Sequence, residues 1–162
     1  MIRPAVMADM PAILAVYEAA RATMRARGNP TQWGSTYPEQ ALLEQDIQGG
    51  RLYVLQESGG IHGAFALMAG EDPTYRRIHS GAWRDGSPYA AIHRVAGDGA
   101  VRGVFARCLA FCQARADHLR IDTHEDNLAM QHLVLKHGFK YCGIIHTDDG
   151  SPRLAYEWVQ DP

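Results

Sequence analysis

One stretch constrains the fold of this chain more than any other: residues 92–112, IHRVAGDGAVRGVFARCLAFC. It opens with residues typical of a short β-strand and continues through a loop that contains three glycines. A helical pattern follows, whose apolar residues are Val101, Val104, Phe105, Cys108, Leu109 and Cys112. Their spacing is that of one buried helix face. The stretch therefore predicts a strand, a glycine-rich turn and an amphipathic helix beginning at Val101.

The junction between this turn and the helix predicts a binding site for a phosphate. A helix that follows such a loop presents unpaired N–H groups and the positive end of its dipole. Gly97, Gly99 and Gly103 would let the backbone turn tightly and let a ligand approach. The alternative is a structural turn without a ligand, which is common in α/β proteins. The spacing matches neither the P-loop nor the dinucleotide fingerprint, so a nucleoside triphosphate and NAD are disfavoured.

Composition narrows the class of protein. The 162 residues fit a single domain over 1–162, and 46% hydrophobic with 21% charged residues is ordinary for a globular chain. The formal net charge of −2 gives no electrostatic case for binding nucleic acid or an anionic membrane. No apolar run approaches the ~18 residues of a membrane span. Pro4 and Asp9 interrupt any signal-peptide pattern, so we expect a cytoplasmic protein.

The three cysteines are predicted to be buried small hydrophobes. Cys108 and Cys112 share the apolar helix face, and Cys142 lies in a strand pattern. Neither a Cys-x-x-Cys nor a His-Glu-x-x-His spacing occurs, so no metal site is predicted.

Periodicity along the rest of the chain predicts the fold class. Strands are expected at residues 2–5, 51–57, 61–69, 89–96, 119–123, 140–146 and 153–159. Further helices are expected from Asp9 to Gly28, from Pro38 to Gly49, and from Asp126 or Asn127 to Gly138. This order predicts an α/β (α+β) fold with a mixed, mostly antiparallel sheet of about seven strands and helices on both faces. Residues 70–88 have no period and are expected to form a lid or pocket wall.

A motif near the C-terminus points to a family. Residues 127–139, NLAMQHLVLKHGF, match N-x-x-A-x-x-L-Y-x-K-x-G-F at Asn127, Leu133, Lys136, Gly138 and Phe139. This motif, the order of elements and the opening IRPAVMADMPAI resemble the GNAT superfamily of acyl-coenzyme A-dependent acyltransferases over nearly the whole chain. The resemblance implies the GNAT-like acyl-CoA N-acyltransferase fold, with acetyl-CoA as the acyl donor.

The resemblance also implies a cofactor site. The family signature Q/R-x-x-G-x-G/A is matched only at Gly103, since Ala100 and Phe105 occupy its two ends. His93, Arg94 and Val95 would line the pantetheine through backbone groups. Asn127 would reach the same arm, with Met130 packed nearby. The N–H groups wrapping the pyrophosphate would be those of Ala100, Val101, Arg102, Gly103, Val104 and Phe105.

The residues that move protons are left open. Val134 occupies the position of the family's frequent tyrosine acid, and Tyr89 and Ala90 lie where some relatives carry a glutamate base. The remaining candidates are His93, whose type of side chain titrates near neutrality, Glu125 or its neighbour His124, and Tyr141. Each has a structural alternative, and a chain of waters without a dedicated residue is a further one.

Three functions follow from these patterns. The first is an N-acetyltransferase that moves an acetyl group to a primary amine of a small molecule or peptide, with Trp33, Tyr37 and Trp83 walling the acceptor site unless they merely cover the core. The second is a non-catalytic acyl-CoA-binding sensor or scaffold, and the third a hydrolase using Cys142. The oligomeric state is left open, although the terminal hairpin offers an edge strand that a second subunit could extend into a homodimer.

Overall fold

The computed structural model describes residues 1–161. The described chain forms four α-helices and seven β-strands. The helices are α1 (Met10–Ala26), α2 (Gln40–Gln48), α3 (Val104–Gln113) and α4 (Leu128–Lys136). The strands are β1 (Ile2–Pro4), β2 (Leu52–Glu57), β3 (Gly60–Ala69), β4 (Ala90–Gly97), β5 (His118–Thr123), β6 (Lys140–His146) and β7 (Pro152–Val159). The order of elements along the chain is the predicted one.

All seven strands form one sheet in the order β1-β2-β3-β4-β5-β7-β6. Only the β4–β5 pair is parallel, and every other pair is antiparallel. This arrangement confirms the predicted α/β class with a mixed, mostly antiparallel sheet. The crossover from β4 to β5 runs through α3, so the glycine-rich turn lies directly after the carboxyl end of β4.

Helices cover both faces of the sheet. On one face α1 and α2 bury a cluster that includes Ile13, Tyr17 and Leu43 against β2, β3 and β4. On the other face α3 and α4 bury a second cluster, in which Phe105 and Val134 are members. Strands β2, β3 and β4 supply both clusters because alternate side chains point to opposite faces. The sheet is thus the common wall of two separate cores.

The loop between β3 and β4 covers the rest of the first face. It contains a 3₁₀ helix, Pro73–Tyr75, whose Tyr75 ring is buried against Ala91, Ile145 and Ala155. An aromatic side chain of this size, fully buried, holds the loop to the sheet. The loop is therefore an ordered part of the core rather than a disordered connection.

Two helix starts differ from the sequence prediction. Helix α3 begins at Val104 rather than Val101, because Gly103 adopts a left-handed φ of +68° and interrupts the helical run. Helix α2 begins at Gln40 rather than Pro38, because Glu39 is extended (ψ 149°) and serves as its N-cap. Both differences lie at helix termini, where apolar spacing carries the least information.

The outer edge of β6 is partly occupied by the chain itself. His79 exchanges two backbone hydrogen bonds of 2.8 Å with Ile144. Gly81 lies so close to the Cys142 carbonyl that a Cβ at this position would come within 2.0 Å of its oxygen. A second subunit extending this edge would therefore find the backbone groups of Ile144 already paired.

Within residues 1–161, none of the helices combines the length and the apolar character needed to traverse a bilayer.

Candidate active site

The strands β4 and β5 separate after two residue pairs. Their register contains only Ala90 with Leu119 and Ala91 with Arg120, although β4 continues to Gly97 and β5 to Thr123. Beyond Arg120, β5 follows β7, while β4 follows β3. The facing edges of β4 and β5 therefore carry backbone groups that lack a ladder partner and favour a ligand with amides of its own.

A bulge in β4 lies beside this opening. Ala66 pairs with His93 and Ala64 with Ala96, so Arg94 and Val95 both lie opposite Phe65. Arg94 has a φ of +55°, a conformation that costs a non-glycine residue about 1–3 kcal/mol. Bulges that re-aim a strand are concentrated near active sites.

Buried hydrogen bonds hold the bulge in place. The Tyr17 hydroxyl donates to the Arg94 carbonyl at 2.7 Å, and burial raises the pKa of Tyr17 far above its ordinary value, so this proton is retained. The Arg94 guanidinium donates to the buried Asp46 carboxylate at 2.6 Å and to the Tyr37 hydroxyl at 3.3 Å. The carbonyl and side chain of Arg94 are thus engaged by α1, α2 and their connecting loop.

The turn after β4 presents a row of free amides. Asp98 N–H donates to the His62 carbonyl and Ala100 N–H to the Asp98 carboxylate. Among residues 1–161, no acceptor is within hydrogen-bonding distance of the amides of Gly99, Val101, Arg102, Gly103, Val104 and Phe105. These groups and the dipole of the ten-residue helix α3 suit a phosphate or diphosphate. Five of the six predicted pyrophosphate-binding amides are therefore free, and that of Ala100 is not.

His93 forms a hydrogen-bonded pair with a carboxylate. Its Nε2 is 2.7 Å from Oδ2 of Asp72, whose other oxygen, Oδ1, accepts from the backbone amide and the hydroxyl of Thr74. Burial would raise the pKa of Asp72, but the bonds from His93 and Thr74 outweigh it and lower that pKa to about 2. An ionised carboxylate only accepts, so Nε2 carries a proton and donates it. In the neutral ring Nδ1 is then the free acceptor, as a general base requires.

Tyr75 lies between this pair and β5. Its ring centroid is 5.9 Å from that of His93, and its hydroxyl donates to Oδ2 of Asp122 at 2.7 Å. Burial and the Asp122 charge raise the pKa of Tyr75 well above its ordinary value, so the phenol stays protonated. The Asp72 amide is fixed in turn by the Tyr89 hydroxyl at 2.7 Å. Asp72, Tyr75 and Asp122 were not among the residues predicted from sequence.

The other predicted catalytic residues lie elsewhere. Glu125 is exposed on a turn, and its side chain makes no hydrogen bond within residues 1–161. The His124 ring accepts from the Asp126 amide. Tyr141 is 42% exposed on the edge strand β6, with β5 and β7 between it and β4. The structure therefore does not gather these residues around His93.

Asn127 caps helix α4. Its Oδ1 accepts from the Met130 amide at 3.1 Å, and its Nδ2 donates to Oε1 of Gln32 at 3.1 Å. Met130 itself packs against the α3–α4 core. One Nδ2 proton remains for a ligand because an amide nitrogen carries two.

The three predicted wall aromatics form two groups. Trp33 packs edge-on against Tyr17 (5.7 Å between centroids) and beside Tyr37 (6.3 Å), next to the β4 bulge. Trp83 instead donates its indole N–H to the Tyr75 carbonyl at 2.8 Å and packs on that ring. Trp33 and Tyr37 thus lie beside the β4 bulge at the opening, whereas Trp83 contacts Tyr75 and helps to fix its position.

The cysteines are unsuited to nucleophilic chemistry. Cys142 is buried, and its thiol donates to the Lys140 carbonyl. Burial raises its pKa to about 11, so the thiolate is scarce near neutral pH. Burial likewise raises the pKa of Cys108 and Cys112 to about 12. In residues 1–161, His, Cys, Asp and Glu side chains nowhere converge in threes as a metal ion would need.

Comparisons with known proteins agree with this geometry. No family model and no curated protein matches the sequence. Among solved structures, a GNAT-family acetyltransferase from Streptococcus agalactiae 2603 is 31% identical over 100% of this chain and 96% of its own, with a TM-score of 0.88. A provisional acetyltransferase from Staphylococcus aureus Mu50 is 29% identical over 98% of each chain, with a TM-score of 0.66.

A third structure shares the fold at lower identity. The ribosomal-protein-alanine N-acetyltransferase from Brucella melitensis is 20% identical over 98% of this chain and 99% of its own, with a TM-score of 0.62. The full-length match at 31% identity, together with the parted strands β4 and β5, identifies the chain as a member of the GNAT family of acetyltransferases.

Proposed function

We propose that this protein is an N-acetyltransferase that transfers the acetyl group of acetyl-CoA to a primary amine of a small molecule or peptide, by direct attack in a ternary complex. The observation that carries the proposal is the hydrogen bond from His93, on β4 two residues after its last pairing with β5, to Asp72 of the preceding loop. Activity of this kind needs a base beside the thioester, and His93 is the side chain that the opening offers.

The cofactor would be held mainly by backbone groups. The free amides from Val101 to Phe105 would donate to the diphosphate, as expected of a helix N-terminus. The unpaired edge of β4, with the backbone of His93 and Val95, would complete a ladder with the amides of the pantetheine arm. Asn127 would donate its remaining Nδ2 proton to the same arm, and Met130 would pack nearby.

When bound, acetyl-CoA would supply the acetyl thioester, whose C–S bond breaks as the new C–N bond forms; the leaving group is the coenzyme A thiolate, which water would protonate. The chain's own residues then have two tasks. Nδ1 of His93 accepts the proton that the amine loses, while Asp72 keeps the ring in the tautomer with its proton on Nε2. A backbone N–H of β4 near the bulge donates to the thioester oxygen as negative charge develops there.

The donor should be tested first by isothermal titration. We expect acetyl-CoA to bind the purified protein, and coenzyme A lacking the acetyl group to bind through the same diphosphate contacts. If neither acetyl-CoA nor coenzyme A binds, the proposed function is excluded. Release of free thiol on screening a library of amines then tests turnover itself.

A second function is favoured by one observation. Val134, at the position of the family's tyrosine acid, is fully buried in the α3–α4 core and offers no group to protonate a departing thiolate. A sensor or scaffold that binds acyl-CoA without turnover would tolerate this replacement. The sensor predicts tight binding of acetyl-CoA and no thiol release with any amine, whereas the transferase predicts both binding and thiol release.

A further inference from the structure

Asp122, a half-buried carboxylate at the opening, has no cationic partner. Three other carboxylates on the buried side of the sheet or loop each meet a basic side chain within hydrogen-bonding distance. These pairs are Asp46 with Arg94 (2.6 Å), Asp72 with His93 (2.7 Å) and Glu157 with His118 (3.1 Å). Asp122 has no Lys, Arg or His nitrogen within 4.0 Å in the described part of the chain. The carboxylate of Asp122 is therefore available to a cationic group supplied by a ligand.

The position of Asp122 places it at the opening. It lies on β5 two residues after Arg120, the last residue of that strand that pairs with β4. Its side chain lies on the face of the sheet that carries Tyr75, since the Tyr75 hydroxyl bonds to it. This is also the face on which Asp72 meets His93. Asp122 and the candidate base therefore lie on the same face of the sheet, on either side of Tyr75.

The carboxylate is also fixed in direction. Tyr75, which is 1% exposed, holds Oδ2 at 2.7 Å, and Oδ1 has no partner within residues 1–161. Arg153 lies on the same face of the adjacent strand β7, but its guanidinium donates to the carbonyls of Gln32 and Pro152. One oxygen of Asp122 is thus held rigidly by the protein while the other is free to accept.

We propose that Asp122 binds a cationic group of the acceptor, separate from the nitrogen that is acetylated. The acceptor class is then a primary amine that carries a second ammonium or guanidinium group, as in an alkyl diamine. This inference rests on the proposed transferase function and names its substrate class.

The cationic group bound by Asp122 must lie away from the nitrogen that is acetylated, for an electrostatic reason. A carboxylate beside the reacting nitrogen would stabilise its ammonium form and oppose the transfer of its proton to His93. At the far end of the acceptor, the same attraction aids binding without opposing the chemistry. Loss of Asp122 should therefore raise KM and leave kcat nearly unchanged, because ground state and transition state lose the contact equally.

The test compares 1,4-diaminobutane with n-pentylamine, in which a methyl group replaces one ammonium, and extends to diamines one carbon shorter and longer. We expect kcat/KM to favour the best diamine over its matched alkylamine by at least about tenfold, as a charged hydrogen bond allows. Asp122→Asn, which can still accept from Tyr75, should abolish this preference through KM and change the alkylamine rate by less than about twofold. Asp148→Asn, at an exposed carboxylate, is the control and should keep the preference.

Equal kcat/KM for diamines and alkylamines in the wild type would overturn the inference while leaving the transferase intact. An equal loss for both substrates in Asp122→Asn would also overturn it. If no amine is acetylated, the proposed function fails, and binding of the diamine decides the inference separately. Calorimetry of 1,4-diaminobutane on the CoA complex should then show binding that Asp122→Asn weakens, and no binding by the wild type would refute the site.

Discussion

The two ends of the β4–β5 pair are built in opposite ways. At the start of β5, where the strands are paired, His118 and Glu157 form a buried ion pair at 3.1 Å. The Arg120 guanidinium lies beside them, 4.0 Å from the Trp83 ring centroid and 4.1 Å from that of Tyr89. At the other end the strands have parted, Arg94 is strained and Asp122 lacks a cation. The paired end, called the closed end below, thus brings opposite charges together, although Nε of Arg120 has no hydrogen-bond partner within residues 1–161. The parted end, called the open end, leaves Asp122 without a cation.

This difference explains how an open site persists in a small domain. Strain and unpaired polar groups cost free energy, so they persist only where surrounding structure enforces them. The ion pairs around Glu157 fix loop 70–89 to β5 and β7, because the Arg84 amide also donates to that carboxylate. The same loop carries Asp72 and Tyr75 to the opening. The closed end therefore positions the groups of the open end.

The largest expected effect is on the chemistry at the open end. His93→Gln keeps a hydrogen bond to Asp72 but removes the basic Nδ1, so kcat should fall by about 10²–10⁴-fold. His118→Gln is the matched control at the closed end: it should lower stability and leave kcat of the folded protein nearly unchanged. Steady-state kinetics with acetyl-CoA and the best amine measures both. Retention of wild-type kcat in His93→Gln would assign proton transfer to water instead.

The next effect is on stability at the closed end. Glu157→Gln removes the negative charge between His118 and Arg120, both buried, and should lower the free energy of unfolding by about 3–5 kcal/mol. Urea denaturation monitored by circular dichroism measures this change. KM for acetyl-CoA should stay close to that of wild type where the protein is folded. A loss below about 1 kcal/mol would mean that the closed end is not what holds the loop.

The sequence contains enough information for the fold because the relevant signals are local. The apolar spacing of α1, α3 and α4 and the alternation in the strands depend on neighbours within a few residues, and the element order follows. The predicted start of α3 at Val101 was wrong. Val101 fits the apolar period, but the left-handed backbone at Gly103 ends the helix before reaching it.

The candidate site was less predictable because it is assembled from distant segments. His93 was recognised by residue type, yet its partner Asp72 lies 21 residues away on a loop without periodicity. The only local signal was the Asp72–Thr74 turn, in which the aspartate side chain accepts from the amide two residues on. Nothing in the sequence places Tyr75 against Asp122, 47 residues apart. Glu125 and Tyr141 were named for their chemistry, which carries no information about position.

A smaller effect tests the glycine-rich turn of the open end. Gly103 has a φ of +68° and no atom near where a Cβ would lie, so Gly103→Ala is strained by the backbone alone. We expect a loss of about 1–2 kcal/mol in unfolding free energy and a higher KM for acetyl-CoA, because the free amides shift. Gly86→Ala is the matched control, since that glycine also has open space but no left-handed φ. Equal KM values for the two variants would show that the turn does not hold the cofactor.

The smallest expected effect is the pH dependence of the stability that Asp72 contributes at the open end. The folded pKa of Asp72, about 2, lies below the value of about 3.9 for an unfolded aspartate. Its contribution is therefore present above about pH 4 and is lost as pH falls through about 2; partial exposure limits it to about 1 kcal/mol. Urea unfolding between about pH 5 and pH 3 should show wild type approaching Asp72→Asn as the pH falls. A constant difference over this range would mean that the aspartate stabilises the loop through its shape and not through its charge, and His93 would then lack the ionised partner that fixes its tautomer.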